Sequence, residues 1–375
     1  GPADGNVVTG EENPAPDPTA ADAAPVRTDV VRYVAGLPKA ELHVHLQGAA
    51  SVPTVLELAR RYPEVGVPLA EQALRSFYRF TDFAHFIEVY LRVNRLIRNP
   101  DDVRALVIGL GRDLAAVKVR YAEVTVTPDS HLLAGIDPEG LSEALNRGRS
   151  EVLDRHAVEL AWVFDVSGDL GPQSADRTLD WVMAHRPGHS VGFGLGGPEL
   201  GVPRPPFAEA FRRARDLGLS SVPHAGETTG PESVRDAVET LGAVRIGHGI
   251  AATRDPALLA ELARRGIVLE VCPTSNLCTR AVADIAHHPL PQLLDAGARV
   301  TVNTDDPGMF DTDLNREYLL VHRVFGLGVD ELTGLAREAV RASLAPPTTR
   351  QRLLAEIDTY ATSWPATGQP SPPDF

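Results

Sequence analysis

The stretch PKAELHVHLQGAAS, Pro38 to Ser51, sets two histidines either side of one valine on a short apolar run, with a glutamine and a glycine close behind. Side chains two apart on a strand share a side, so the run predicts a β-strand that turns His43 and His45 toward one point. Runs of this kind recur down the chain. After ELHVHL at 41 come RYAEVTV at 120, ELAWVFDVS at 159, SVGFGLGG at 190, SSVPHAGE at 220, VRIGHGI at 244, GIVLEVCPTSN at 266 and RVTVNTDDP at 299. Between them lie stretches of helical period, among them PEGLSEALNRGRSEVLDRHA, FAEAFRRARDLG, PESVRDAVETLG and PALLAELARRG, the last three ending on the glycine that helix C-termini favour. Eight strands alternating with helices predict an α/β fold, a (β/α)8 TIM barrel.

One connection is oversized. From Val52 to Val119 the chain carries several helical patterns, including VPTVLELARRY and TDFAHFIEVYLRVNRLI, which predicts extra helices after the first strand, over the barrel mouth. Past the eighth run, LNREYLLVHRVFGLGVDELTGLAREAVRASL reads as closing helices. Residues 28–362 are therefore expected to form a single barrel domain. Residues 1–27 are rich in Pro, Ala, Asp and Gly without apolar periodicity and are expected to be a disordered tail, with 363–375 a second, flexible one.

The 375 residues are 43% hydrophobic, the composition of an ordinary globular protein with room for one extended core. A net charge of -14 and the lack of any basic run argue against nucleic acid as a partner, because such binding needs clustered cations to release counterions. No apolar run is long enough to span a bilayer and no leader pattern opens the sequence, so no membrane is expected and the expected address is cytoplasmic. Two cysteines, Cys272 and Cys278, are too few for a disulfide scaffold, and Cys272 reads as a small buried hydrophobe.

Ionisable residues gather at the C-terminal ends of the runs: His43 and His45, His224 with Glu227, His248, and Asp305 beside Asp306. In a parallel barrel that end builds the active-site mouth. Three imidazoles and a carboxylate brought together there suit zinc or another first-row divalent ion. Glu227, in HAGE, either moves a proton near a metal-activated water or simply favours a helix N-terminus. His248, between two glycines, either stabilises a metal hydroxide or accepts its proton. Neighbours on a strand face opposite ways, so one carboxylate of TDDP is expected at the ion and the other at a ligand, unless both cap the turn before Pro307. His287 and His288, ahead of Pro289, are expected in an exposed loop.

Taken in order, PKAELHVHLQG, HAGE, RIGHG, LEVCPTSN and NTDDP resemble the adenosine deaminase family over about residues 38–310. The PCxxC pair of the zinc cytidine-type deaminases is absent from the sequence. The resemblance implies one zinc per chain on His43, His45, His224 and Asp305, with Glu227 protonating purine N1 and His248 orienting the water that attacks C6. It also implies that the backbone of Gly197, in GGPE, donates to purine N3 and that Asp306 contacts N7, with ammonia released.

Family members acting on adenosine usually carry Asp after HxHL, and the adenine-type members Glu; here the residue is Gln47, a neutral amide that no longer repels an anion. Together with GLGGPE, GVPRPPF and VPHAGETTG, this resembles the branch that deaminates aminodeoxyfutalosine, a menaquinone precursor with a carboxyphenyl group at its 5′ end. The aromatic run SFYRFTDFAHF would then form an apolar lid, with Arg79 or Arg204 meeting the carboxylate, unless the aromatics only pack helices and the arginines are solvated. The expected activity is hydrolytic deamination of a 6-aminopurine nucleoside altered at C5′, or of adenosine itself. Alternatives are a 5′-nucleotide such as AMP as substrate, or an inactive nucleoside-binding protein, against which the intact acid and ligand set stands. A homo-oligomer is compatible with the sequence.

Overall fold

The computed structural model describes residues 27–365; the expected tails before 27 and after 365 lie outside the described residues. Nine parallel strands appear in order: β1 (Lys39–His45), β2 (Val119–Val126), β3 (Glu159–Ser167), β4 (Ser190–Gly196), β5 (Ser220–Ser221), β6 (His224–Ala225), β7 (Arg245–His248), β8 (Val268–Val271) and β9 (Arg299–Val302). Each pairs with its neighbour in sequence, as β1 to β5 and β6 to β9. These are the eight expected runs with the fifth divided, since Pro223 has no N–H to give to a ladder. Its two halves stay in line because Val222 N donates to Phe193 O and Gly247 N to Pro223 O, both at 2.9 Å.

The barrel closes through a metal-ligand candidate. His45 N donates to Asp305 O and Asp305 N donates to His43 O, both at 2.9 Å, and Val44 bridges Asp305 in parallel. Every residue of β1 is buried, which is what a parallel strand packed on both faces requires and why its sequence reads as a continuous apolar run. One apolar cluster extends from Val30 to Ile357.

Helices Val52–Arg61, Glu71–Phe77, Phe83–Asn94 and Pro100–Ala116 fill the long first connection. Asp82 caps Phe83–Asn94 by accepting from His85 N at 2.8 Å, and Asn99 with Asp102 forms a capping box on Pro100–Ala116. Helices Leu314–Phe325, Val329–Ala342 and Pro347–Ser363 close the chain. Trp364, placed by sequence in the C-terminal tail, packs edge-on to Tyr33 at 5.1 Å. Among the described residues no helix is long and apolar enough to cross a membrane. Both cysteines are free, with Cys272 buried.

Candidate metal and active site

Strand ends bring the sequence-predicted ligands together. His43, His45 and His224 each offer a nitrogen, all within 4.8 Å of one another. Asp305 Oδ1 lies 3.2 Å from His43 Nε2 and 3.1 Å from His45 Nε2. The donor set fits a divalent first-row ion: three imidazoles and one carboxylate converge at the barrel mouth. Glu270 supports the fit, for it accepts from His43 Nδ1 at 2.8 Å, and this leaves the lone pair of Nε2 facing the centre. Burial alone would raise Glu270, but Arg245 and His43 hold it below the ordinary carboxylate range. Arg245 binds Glu270 and Glu123 at 2.6 Å each, so a buried ionic chain runs from the barrel floor to the ligand. Burial would lower His43, but Asp305 and Glu270 hold it well above its ordinary range.

Asp305 corrects one expectation. Its φ of 66° is left-handed, a conformation non-glycine residues hold only where the surroundings impose it. The twist breaks strand alternation, and Asp305 and Asp306 both reach the cavity wall instead of facing apart. Asp306 then presses on the glycine of HLQG: a Cβ on Gly48 would stand 1.7 Å from Asp306 Oδ1. Burial and then Asp305 push Asp306 well above the ordinary carboxylate range.

Glu227 is also held well above its ordinary value, by burial first and then by Asp305 and Glu199. Its Oε2 lies 3.2 Å from His248 Nε2. Burial pushes His248 down to about 4, so its ring is neutral. Gly197 lines the same cavity at φ 74°, and a Cβ there would stand 2.4 Å from Ser167 Oγ. Gln47 is on the wall as well.

The two arginines are not. Arg204 is 1% exposed, its guanidinium donating to His224 O and Val202 O at 2.9 Å each, so it fixes the backbone of a metal-ligand candidate. Arg79 is exposed and outside the wall. The expected exposed loop at His287 and His288 is half right: His287 is in solvent, whereas His288 is 1% exposed.

Sequence reading missed the residues that hold the others in place. Glu199 Oε1 accepts from the backbone N–H groups of Glu227, Thr228 and Thr229 at 3.2, 3.0 and 2.8 Å, shaping the turn that aims Glu227. Ser275 Oγ donates to Asp305 Oδ2 at 2.8 Å. Their only signal was membership of GGPE and LEVCPTSN. Glu199→Ala removes the acceptor of three backbone donors, that of buried Glu227 among them, and should lower kcat roughly 10–100-fold with bound metal unchanged. Parent-like kcat in steady-state assays would remove this role.

The cavity and the solvent space at its mouth together amount to ≈ 780 Å³. One wall is a single helix face, Phe83, Phe86, Ile87, Tyr90, Leu91 and Asn94, at the spacing of one helical stripe. The aromatic run therefore divides: Phe83 and Phe86 line the cavity, while Phe77, Tyr78 and Phe80 pack behind them, Phe80 against Phe86 at 5.2 Å. The facing wall is polar, with Gln47, Thr127, Ser130, Asp165, Ser167 and Asp169. Among the described residues no arginine or lysine lines it.

A parallel barrel with His and Asp side chains that could hold a metal at its C-terminal mouth, faced by a buried carboxyl, is the arrangement of an amidohydrolase-type hydrolase. The adenosine deaminase family profile matches residues 38–360. The chain is 50% identical over 338 residues, 90% of its length and 94% of the other's, to an aminodeoxyfutalosine deaminase of Streptomyces avermitilis. It superposes on an adenine deaminase of Arthrobacter aurescens with TM-score 0.83 at 29% identity, covering 88% of this chain and 100% of that one. An amidohydrolase from Burkholderia ambifaria with bound zinc gives TM-score 0.83 at 26% identity, covering 91% and 96%. The chain belongs to the adenosine deaminase family and is a deaminase.

Proposed function

We propose that the protein removes the 6-amino group of aminodeoxyfutalosine by hydrolysis, with zinc as cofactor, giving the 6-oxopurine nucleoside and ammonia. The observation that carries this reading is the cavity wall: a helix face of Phe83, Phe86, Ile87, Tyr90 and Leu91 with no cation beside it. A bare ribose 5′-hydroxyl would leave that apolar face wet, whereas an aryl extension at C5′ would cover it. A 5′-phosphate would find no basic side chain among the described residues of the wall, which sets AMP aside. The carboxylate of the extension is met by amide and hydroxyl donors such as Gln47, Asn94 and Ser130, and by solvent at the mouth. The name carried by the Streptomyces relative points the same way.

His43, His45, His224 and Asp305 would hold the zinc. When bound, the ion supplies the charge that makes water a nucleophile near neutral pH, its pKa falling toward roughly 7. Glu227, its carboxyl pushed above the ordinary range by burial, gives its proton to purine N1 as C6 is attacked, and Asp306 contacts N7. The Gly197 N–H donates to N3.

The test is the zinc-loaded protein assayed for loss of the 6-amino group from aminodeoxyfutalosine, adenosine, adenine, AMP and methylthioadenosine. Aminodeoxyfutalosine is expected to lead by at least ~10-fold in kcat/KM. A higher kcat/KM on AMP would overturn the reading. Gln47→Asp should raise the ratio of adenosine to aminodeoxyfutalosine turnover by roughly 10-fold, the worth of one hydrogen bond with its charge; an unchanged ratio would show that position 47 does not read the 5′ end.

A further inference from the structure

His288 lies between the short turn Ile285–His287 and the helix Leu290–Asp295, buried where its neighbour is exposed. Its Nδ1 accepts from the backbone N–H of Leu290 at 3.0 Å. A backbone amide only donates, so Nδ1 bears no proton and the neutral ring carries it on Nε2. Burial pushes this ring down to about 4, in keeping with that neutral form. His288 Nε2 stands 2.9 Å from Asn276 Oδ1 and donates to it. With its oxygen engaged, the Asn276 amide has one orientation, and Nδ2 faces His248 Nδ1 at 3.2 Å.

An amide N–H likewise only donates, so His248 Nδ1 accepts and its proton sits on Nε2. The sense of all three bonds follows from the backbone N–H at the start. Asn276 itself is anchored, its N–H donating to Cys272 O at 3.0 Å and its carbonyl accepting from Val282 N at 2.9 Å. At the far end, His248 Nε2 is buried without a hydrogen bond, 3.2 Å from Glu227 Oε2 and 3.5 Å from Asp305 Oδ2.

We infer that His288 is a positioning residue which, through Asn276, holds His248 in the Nε2–H tautomer, so that His248 meets the attacking oxygen as a hydrogen-bond donor and not as its base. The inference rests on the proposed deamination for the identity of that oxygen. Of the two roles the sequence left to His248, the relay selects stabilisation of charge on oxygen, which a fixed donor in a dry site does well. It also gives a use to His288, which none of the candidate metal groups among the described residues includes.

The test compares zinc-loaded parent, His288→Phe, His288→Gln and Asn276→Asp. His288→Phe keeps a ring without the donor, and is expected to lower kcat roughly 10–100-fold with KM within about twofold and metal content unchanged. His288→Gln keeps an amide donor toward Asn276 and should recover most of that loss. Asn276→Asp offers His248 Nδ1 an acceptor, and should move the proton to Nδ1 with a fall in kcat of roughly 10²–10⁴-fold. Nitrogen NMR of histidine-labelled protein, with His248 assigned by His248→Asn, reads the tautomer directly. Parent-like kcat in His288→Phe and Asn276→Asp would overturn the relay. So would equal losses in His288→Phe and His288→Gln, which mean packing alone, or a parent His248 protonated on Nδ1. Were the parent inert on every 6-aminopurine, the deaminase reading would fall while the tautomer would still decide the relay.

Discussion

Glu227→Gln is expected to lower kcat by about 10²–10⁴-fold while KM and bound metal stay near the parent values. The side chain is buried, and that burial with the charges of Asp305 and Glu199 raises its pKa well above the ordinary carboxylate value. Glutamine is nearly its isostere and places an N–H where the acid O–H stood, so the ground-state hydrogen bond to a purine nitrogen survives. What glutamine cannot do is release the proton. The loss therefore falls on an interaction made in the transition state, which kcat records and KM does not. The sign of the pH effect follows: an acid with a raised pKa is competent below that pKa, and activity declines as pH rises through it. The variant should lack that alkaline limb. If Glu227→Gln kept more than about a third of parent kcat, Glu227 would not be the proton donor.

The barrel was legible because parallel strands are buried on both faces and so write continuous apolar runs, from ELHVHL to RVTVNTDDP. The ligands were legible for a related reason: His43 and His45 sit two apart on one such run, and the other ionisable groups end theirs. Local pattern fails where geometry departs from the period. Alternation sent Asp305 and Asp306 to opposite sides, and the left-handed φ of Asp305 brought both to the cavity. It fails again where a residue acts through a distant partner. Glu270 works on a histidine 227 positions away, and Glu199 on a turn 28 positions on. The arginines show the same limit, since whether Arg204 meets a substrate or a backbone carbonyl is decided by the fold around it. His288 shares its dipeptide with a solvent-exposed histidine, and nothing in HHP distinguishes the two.

Asp305→Asn should abolish metal retention and activity together while leaving the barrel closed. Closure uses the Asp305 main chain, its N–H to His43 O and its carbonyl to His45 N, and asparagine keeps both. The side chain has a separate task. Its carboxylate contacts His43 and His45 and accepts from Ser275 Oγ, and it is the negative charge that both imidazoles face. Asparagine removes that charge at nearly constant volume, and an amide oxygen is a far poorer ligand for a divalent ion. After dialysis, metal content should drop from about one ion per chain to under a tenth, and kcat/KM by more than about 10⁴-fold. The parent treated with a chelator should lose activity to a similar extent and recover it when zinc is added; the variant should not recover. Binding to the folded state also stabilises it, by about 2.7 kcal/mol when free ion is a hundredfold above Kd, so zinc should raise the Tm of the parent and leave that of the variant unmoved. A variant that held a full equivalent of zinc and turned over at the parent rate would remove Asp305 from the ligand set and leave His43, His45 and His224 to hold the ion without it.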